Sequence, residues 1–301
     1  MYFAQNPASP GVPAEIAGAI AAFSRENPAL RVYALIDCAH DEKFFASTYR
    51  RPAIKRSLYG QTSLDSLGGL APFLLQAPTQ GERLLSWLQD IFAICGQRPM
   101  LSIMCTELDI DALSRHMRPY LVAITEDTVQ WPVRWADTRV LPALLAALTA
   151  SQREHLLSPV YGWWAMDRNG NSVAWKGGQN ARPEPAGFDQ LPLPDAAFAS
   201  LVEQAEPDAI LAAIDDTQPD VLRSLSPAQC HARVASQLKV ASAHGIESAR
   251  DRHHFSVLAL LLRDGFVSDP AIADILKQTR LGGAYMPLVS SLPQNFWNDW
   301  S

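Results

Sequence analysis

The stretch RVYALIDCA at residues 31–39 decides the fold class of this sequence. Up to Asp37 it is almost uniformly apolar and rich in residues that favour β-structure, a pattern typical of a strand buried on both faces. Such strands lie centrally in a sheet. The sequence therefore predicts that this segment is a central strand.

Helical and strand-like patterns alternate around this segment. Helical spacing over residues 13–25 precedes it, and two more helices are expected over residues 81–96 and 107–118. Further strand candidates lie at residues 72–78, 99–108, 120–124, 129–137 and 158–166. The alternation predicts an α/β domain with a mixed parallel and antiparallel sheet, because some connections are too short for crossovers.

The organisation changes after the tryptophan-rich strand. A hairpin is expected with its turn at residues 168–171, where Asn-Gly favours the positive φ of tight turns. Residues 179–194 are rich in proline and glycine and have little periodicity. We therefore predict an α/β domain over residues 1–180 and a second domain over residues 190–301.

The second domain is predicted to be an all-α lobe of four or five helices. Its first two segments are expected to be separate helices, the second starting at Pro207. Serine and aspartate residues stand before N1 prolines, and glycines stand where a helix must end in a left-handed residue. The chain is therefore expected to combine a mixed-sheet domain with a helical lobe that ends in an aromatic tail.

Composition and charge exclude several classes of function. With 301 residues, 48% hydrophobic and 19% charged, the chain suits globular domains with real cores. A net charge of −6 gives no basic field that would attract nucleic acid. Four cysteines without C-x-x-C spacing indicate buried thiols in a reducing compartment. Since no apolar run is long enough to span a bilayer, we expect a cytoplasmic protein without membrane insertion.

The stretch WPVRWADTRVL at residues 131–141 places charges among tryptophans and aliphatic residues. Alternation predicts that Arg134 lies on a strand, and Asp137 is expected to cap the helix that follows. Arg134 is then expected to pair with a carboxylate such as Asp37 or Asp137. These charges would pin a strand to the next helix.

Several short motifs, in order, resemble the type VI secretion effector chaperones or adaptors, a domain-of-unknown-function family called Tap or TEC proteins. Residues 33–39 are similar to the family's Tyr-Ala-Leu-(Ile/Val)-Asp-Gly-Ala, and residues 57–60 with 69–74 resemble its "leucine-tyrosine, then glycine-proline-tyrosine-leucine" segment. The most specific match is residues 134–141, which resemble Arg-(Phe/Trp)-x-Asp-Pro-Arg-Val-Leu. The resemblance covers about residues 31–176.

The sequence departs from the family pattern at three positions. Cys38 replaces a glycine, Ala71 replaces the glycine before a proline, and Thr138 replaces a proline. The departures leave the four charged motif residues in place, namely Asp37, Arg134, Asp137 and Arg139. These four are expected to be structural.

The resemblance implies a cytoplasmic adaptor that binds a toxic type VI effector and helps to load it onto the VgrG spike protein. Its partners would be that effector and VgrG, with neither nucleic acid nor membrane insertion involved. Catalysis, a cofactor and a metal are not expected. The chain also lacks the glycine loops of nucleotide-binding proteins and the motifs of zinc proteases and serine hydrolases.

An α/β enzyme is the alternative. Its site would combine Asp37, His40 and Asp41 at the end of the first strand with Arg134 and Asp137, since ligands of α/β sheets bind at strand ends. A carboxylate, an imidazole and a guanidinium could together perform general acid/base chemistry on a small molecule.

Three further features leave their role open. The aromatic tail could bind a partner through Tyr285, Met286, Phe296, Trp297 and Trp300, or fold back over one of the lobes. A groove between helices of the lobe is a second candidate surface. The basic run at residues 50–56 could contact an acidic partner or form an ordinary solvated face.

Overall fold

The computed structural model describes residues 2–41, 53–78, 81–262 and 265–300, except the side chains of residues 81, 82, 299 and 300. The chain forms two compact units, Gln5–Glu203 and Met1–Ala4 with Gln204–Ser301. The division follows residue 203, whereas the change in composition marks a boundary between residues 180 and 190. The first three residues of the basic run, including Arg50 and Arg51, lie outside the described residues.

Nine strands are found in the described residues, all of them in the first unit. They are β1 (Arg31–Asp37), β2 (Lys55–Ser57), β3 (Pro72–Gln76), β4 (Leu101–Thr106), β5 (Val122–Ile124), β6 (Gln130–Pro132), β7 (Val160–Met166), β8 (Ser172–Trp175) and β9 (Leu191–Pro192).

The described α-helices divide between the two units. The first unit contains α1 (Val12–Glu26), α2 (Gly81–Cys95), α3 (Ile110–Met117), α4 (Leu141–Ala147) and α5 (Ala150–Leu157). Helix α6 (Asp195–Thr217) runs from the first unit into the second. The second unit continues with α7 (Pro227–Ala243), α8 (Ala249–Leu261), α9 (Pro270–Arg280), α10 (Tyr285–Ser290) and α11 (Gln294–Trp300).

The main sheet has six strands in the order β2-β3-β1-β4-β7-β8. Strand β1 lies inside it and pairs with β3 and β4, so the predicted central strand is confirmed. All neighbouring pairs in this sheet are antiparallel. A parallel pair occurs in a second, three-stranded sheet ordered β6-β5-β9, between β5 and β9. The predicted fold class, an α/β domain followed by a helical region, is confirmed.

Alternate residues of β1 enter two separate hydrophobic clusters. Tyr33 and Leu35 belong to one, whereas Ala34 and Ile36 belong to the other with apolar residues of α1 and α2. The two clusters explain why residues 32–37 are all buried and why the segment lacks apolar–polar alternation. Burial on both faces is therefore the physical origin of the pattern in the sequence.

The strand predicted over residues 129–137 is wrong in its extent. Strand β6 ends at Pro132, and Arg134 lies in the irregular chain after it. Trp131 is exposed whereas Trp135 is buried, so the alternation does not describe one strand face. The Val133 N–H still donates to the carbonyl of Leu121 at 2.9 Å, but farther along the chain the Thr138 N–H donates to the carbonyl of Pro99 at 3.0 Å, so the chain has left the partner strand of β6.

Asp137 also does not cap the helix as predicted. Helix α4 begins at Leu141, and Val140 is its N-cap residue. The Asp137 carboxylate instead accepts the N–H of Arg139 at 3.1 Å, two residues along the chain. A local turn of this kind satisfies the short aspartate side chain before the helix begins.

The second unit is helical, but the first two helices predicted for the helical lobe form a single helix in the structure. Helix α6 continues through Pro207, although proline removes a backbone hydrogen bond inside a helix. Leu211 and Ile214 in the following turns are fully buried, which offsets that cost.

Residues from the start of the chain also belong to the second unit. Ala4 is buried in a cluster with Leu211, Ile214 and Cys230, and Tyr2 is partly buried against the same cluster. The core of this unit therefore contains residues that are about 200 positions apart in the sequence.

Candidate functional site

The predicted charged residues meet at the end of β1. Asp37 is the last residue of that strand, and His40 ends the short 3₁₀ turn that follows it. Arg134, Asp137 and Arg139 come from the turn between β6 and α4. We call these five residues the charged cluster.

Arg134 pairs with Asp37, as predicted. Its Nε donates to Asp37 Oδ2 at 3.0 Å, and its Nη2 lies 2.9 Å from the same oxygen. The other carboxylate oxygen of Asp37 accepts the N–H of Ala39 at 3.0 Å. The Asp37 side chain is only 2% exposed, while that of Arg134 is 37% exposed. The guanidinium therefore covers the buried carboxylate from the solvent side.

Asp137 is held mainly by Arg139. The guanidinium donates through Nε to Oδ1 at 3.1 Å and through Nη2 to Oδ2 at 2.8 Å. Arg134 Nη1 lies 3.6 Å from the same Oδ2. Two carboxylates thus face two guanidinium groups, so the cluster neutralises its own formal charge.

Opposing effects act on the pKa of Asp137. Burial alone would raise it, because a low-dielectric environment disfavours the carboxylate. Hydrogen bonds from His40 and Arg139, together with their charges, outweigh burial and hold the pKa well below its usual range. Asp137 is therefore an anion at neutral pH, which suits a fixed partner for cations better than a proton donor.

His40 lies between the two ion pairs. Its Nε2 is 3.0 Å from Asp137 Oδ2 and 2.9 Å from Arg134 Nη2. Because a guanidinium only donates, Nε2 accepts from Arg134 in one tautomer and donates to Asp137 in the other. The imidazole is 4% exposed. Contact between an imidazole and a carboxylate can support acid/base chemistry, but here charged side chains of the protein occupy this nitrogen.

The same cluster has the composition of a metal site. Among the described residues, Asp37, His40 and Asp137 can offer one ligand atom each, all within 4.8 Å of one another. Arg134, however, places its guanidinium 2.9 Å from both Asp37 and His40. This side chain supplies the positive charge that a metal ion would supply, so the residues do not fit a divalent cation unless Arg134 moves away.

Three further residues lie close to members of the cluster in the structure or in the sequence. Two of them, Tyr59 and Gln5, were not among the predicted site residues, whereas Asp41 was. Tyr59 is buried, and its pKa is raised by burial and by the charge of Asp37, while Arg134 lowers it. Gln5 accepts a hydrogen bond from Thr138 at 3.2 Å. Asp41, a member of the hypothetical enzyme site, forms an ion pair with Arg98 instead of joining the cluster.

The aromatic tail folds onto the helical unit. Tyr285 and Phe296 are core residues with 3% and 7% exposure, and Met286 and Trp297 pack against the same cluster while partly buried. The side chain of Trp300 lies outside the described residues. Tyr285 and Phe296 therefore stabilise the unit and do not present a free surface to a partner.

Two other features of the sequence have a structural role. Trp163 and Trp164 point to opposite faces of β7, and both are buried, so neither is available to a partner. All four cysteines are free and buried, as expected.

No described helix combines the length and the apolar character needed to cross a membrane.

Comparison with known protein families finds a match over part of the chain. Residues 32–155 match the family model described as "Domain of unknown function (DUF4123)". The matched range begins in β1, ends in α5 and contains all five residues of the charged cluster. No curated protein and no solved structure matches the chain.

Residues 32–155 are therefore similar to this family, and the charges buried in that part of the chain are paired within the protein. The match covers less than half of the chain and does not include the helical unit.

Proposed function

We propose that this protein is a cytoplasmic adaptor that binds a type VI secretion effector and helps to load it onto a VgrG spike protein, without catalysis. The observation that carries the proposal is the position of the family match. Residues 32–155 include the three motifs that resemble the effector chaperones, with Asp37 at one end and Arg139 near the other.

The chemistry of the charged cluster supports a structural role. Catalytic groups need a free lone pair or a transferable proton near a bound substrate. Here Asp37 and Asp137 are each bound by a guanidinium, and His40 lies between them. Paired charges of this kind fix the geometry of a scaffold on which a binding surface can be presented.

The thiols support the same interpretation. Burial raises the pKa of Cys95 and of Cys105 to about 12, so both thiols are protonated at neutral pH. A protonated, buried thiol is a poor nucleophile. These cysteines pack in the core and do not resemble the activated cysteines of enzymes.

The direct test is co-purification from the bacterium that encodes the protein. The full-length tagged protein should retain a VgrG-type spike and a toxin, both identified by mass spectrometry, while a tagged unrelated protein retains neither. Full-length protein is needed because deletion of residues 285–301 would remove Tyr285 and Phe296 from the core.

A secretion assay tests the loading step. Deletion of the gene should abolish secretion of the captured toxin, while secretion of the structural components of the apparatus continues. Normal secretion of every toxin in the deletion strain, or capture of neither partner from cells that express the apparatus, would refute the adaptor function.

The contact between His40 and Asp137 favours one alternative, an enzyme acting on a small molecule at the end of β1. A His40→Gln variant distinguishes the two, because glutamine can still hydrogen-bond to Asp137 but cannot act as a general base. We expect this variant to support toxin secretion like the wild type. Loss of secretion by a variant that is folded and still binds the toxin would favour catalysis.

A further inference from the structure

A second polar site on the same unit is lined by residues other than those of the charged cluster. A pocket of about 320 Å³ opens between the end of β2 and helix α3. It is lined by eight residues, Arg56, Ser57, Gly60, Gln61, Asp111, Ser114, Arg115 and Arg118. This volume is at the small end of ligand sites and fits one or two side chains of a partner.

The lining of the pocket is cationic although the protein is acidic. Three arginines and one aspartate give it a formal charge of +2, whereas the whole chain carries −6. Arg56 forms an ion pair with Asp111, and Arg118 donates to Gln61 at 3.2 Å. The Arg115 side chain is exposed and forms no hydrogen bond or ion pair with the described residues. The pocket thus keeps the Arg115 guanidinium, and the donors of Arg118 that Gln61 does not use, available for an anion.

The backbone of the lining is strained at one residue. Gln61 has a φ of 63°, a left-handed conformation that costs a non-glycine side chain free energy. This conformation places Gln61 where Arg118 can donate to its side chain, so that it orients one of the three guanidinium groups. Strain of this kind is common where a protein holds a binding group in position.

The position of β2 favours a peptide as the ligand. Strand β2 is the edge of the six-stranded sheet and has no further strand beside it among the described residues. Ile54 and Leu58 bond to β3 through their main chains, so by alternation the main-chain groups of Ser57 point away from β3. An extended peptide can lie along such an edge. A small free anion would bind the guanidinium groups but would form no main-chain hydrogen bonds with the outer edge of β2.

We propose that this pocket binds an acidic peptide segment of a protein partner, with the partner's carboxylates on Arg115 and Arg118 and its main chain along β2. Guanidinium groups bind carboxylates through paired, charge-assisted hydrogen bonds. The pocket could bind such a segment whether or not the protein loads an effector. Within the proposed function, it would be a docking point for an acidic segment of the effector or the spike.

Fluorescence anisotropy with purified full-length protein tests this site. The probe is a short fluorescein-labelled peptide in which glutamate alternates with alanine, and the glutamine version of the peptide is the neutral control. Arg115→Glu should weaken binding of the acidic peptide by about tenfold or more, since a charge-assisted contact becomes a repulsion. Asp111→Asn should strengthen binding, because it removes the carboxylate that competes for Arg56.

Arg153→Glu is the matched control, since Arg153 is also an exposed arginine on a helix of this unit but does not line the pocket. We expect it to change the affinity by less than about twofold. The opposite effects of the variants at Arg115 and Asp111, with little change at Arg153, would support the site.

Three results would overturn the proposal. The first is that the wild type binds the acidic peptide no better than the neutral one. The second is that Arg115→Glu and Arg153→Glu have equal effects, which would indicate a general charge effect. The third is displacement of the labelled peptide by inorganic phosphate as effectively as by unlabelled acidic peptide, which would indicate a site for small anions.

Discussion

Replacing Arg134 by alanine tests the structural role of the charged cluster most directly. The substitution removes the guanidinium that covers Asp37, while the Ala39 N–H still donates to that carboxylate. Asp137 keeps its two bonds from the Arg139 side chain. The main consequence is therefore a buried aspartate that has lost its cation.

The structure sets the size of the effect. Removing one partner of a buried ion pair costs about 3–5 kcal/mol, because the remaining charge is uncompensated. Arg134 is 37% exposed, so water can enter the vacated space and solvate Asp37. We therefore expect a loss of about 2–3 kcal/mol in the free energy of unfolding, a reduced estimate of the buried-pair cost. For a unit of this size, the melting temperature should fall by about 5–10 °C.

Tryptophan fluorescence during urea or thermal unfolding is a suitable assay. Trp135 and Trp163 are buried in the core of the first unit, so their emission reports on the unit that contains the cluster. Arg153→Ala is the control, and its effect should stay within about 0.5 kcal/mol because this arginine is exposed.

A double-mutant cycle with Asp37→Asn isolates the pairing of Arg134 with Asp37. We expect a coupling energy of about 1–3 kcal/mol, since the two side chains are in direct contact. A coupling near zero, or a melting temperature of Arg134→Ala equal to that of the wild type, would refute the structural role. If such a variant also failed to bind the effector, Arg134 would belong to the binding surface.

The remaining predictions concern pH, a turn and the thiols. Because the pKa of Asp137 is lowered, this carboxylate stabilises the protein fully above the ordinary carboxyl pKa, and the stabilisation is lost as the pH falls below about 4. The Asp137→Asn variant should therefore be less stable than the wild type at neutral pH. In an acid titration followed by fluorescence, the stability of this variant should change less than that of the wild type. Gly170→Ala should lower the melting temperature by several degrees, because φ is +83° and an added Cβ would collide with the carbonyl of Pro7, whereas Gly187→Ala should not. The four buried cysteines should react with Ellman's reagent only after unfolding, and rapid labelling of the native protein would contradict their burial.

The elements with the strongest local signals were predictable from the sequence. Strand β1 could be recognised because burial on both faces makes it apolar throughout. The hairpin between β7 and β8 could be recognised from its Asn-Gly turn, where Gly170 adopts the expected positive φ. In both cases the local chemistry and the tertiary structure favour the same conformation.

The chain around Arg134 shows why other elements were not predictable. Residues 129–137 alternate like a strand, but only Gln130–Pro132 pair with β5. Just after this stretch the chain bonds to a different part of the protein, where the Thr138 N–H donates to the carbonyl of Pro99. Local alternation contains no information about such a contact, so tertiary structure overrides the pattern.

The candidate site was predictable as a group of residue types, but not in its geometry. The sequence placed Asp37, His40, Arg134 and Asp137 in one hypothetical enzyme site, and in the structure these four residues lie together. It could not show that Asp41 pairs with Arg98 instead. The arginine pocket was found only in the structure, because β2 and α3 are separated by more than fifty residues and only Arg56 belongs to the conspicuous basic run.

Ala4 lies in the core of the helical unit and Tyr2 packs against it, and this arrangement affects how the protein can be divided into fragments. A fragment that begins at residue 204 contains every helix from α7 onward but lacks the side chains of Tyr2 and Ala4, which belong to the same hydrophobic cluster as Leu211 and Ile214. Such a fragment exposes apolar surface and should be prone to aggregate. A version in which residues 1–4 are joined through a flexible linker after residue 301 would supply these side chains again, and would be the better starting point for studying the helical unit alone.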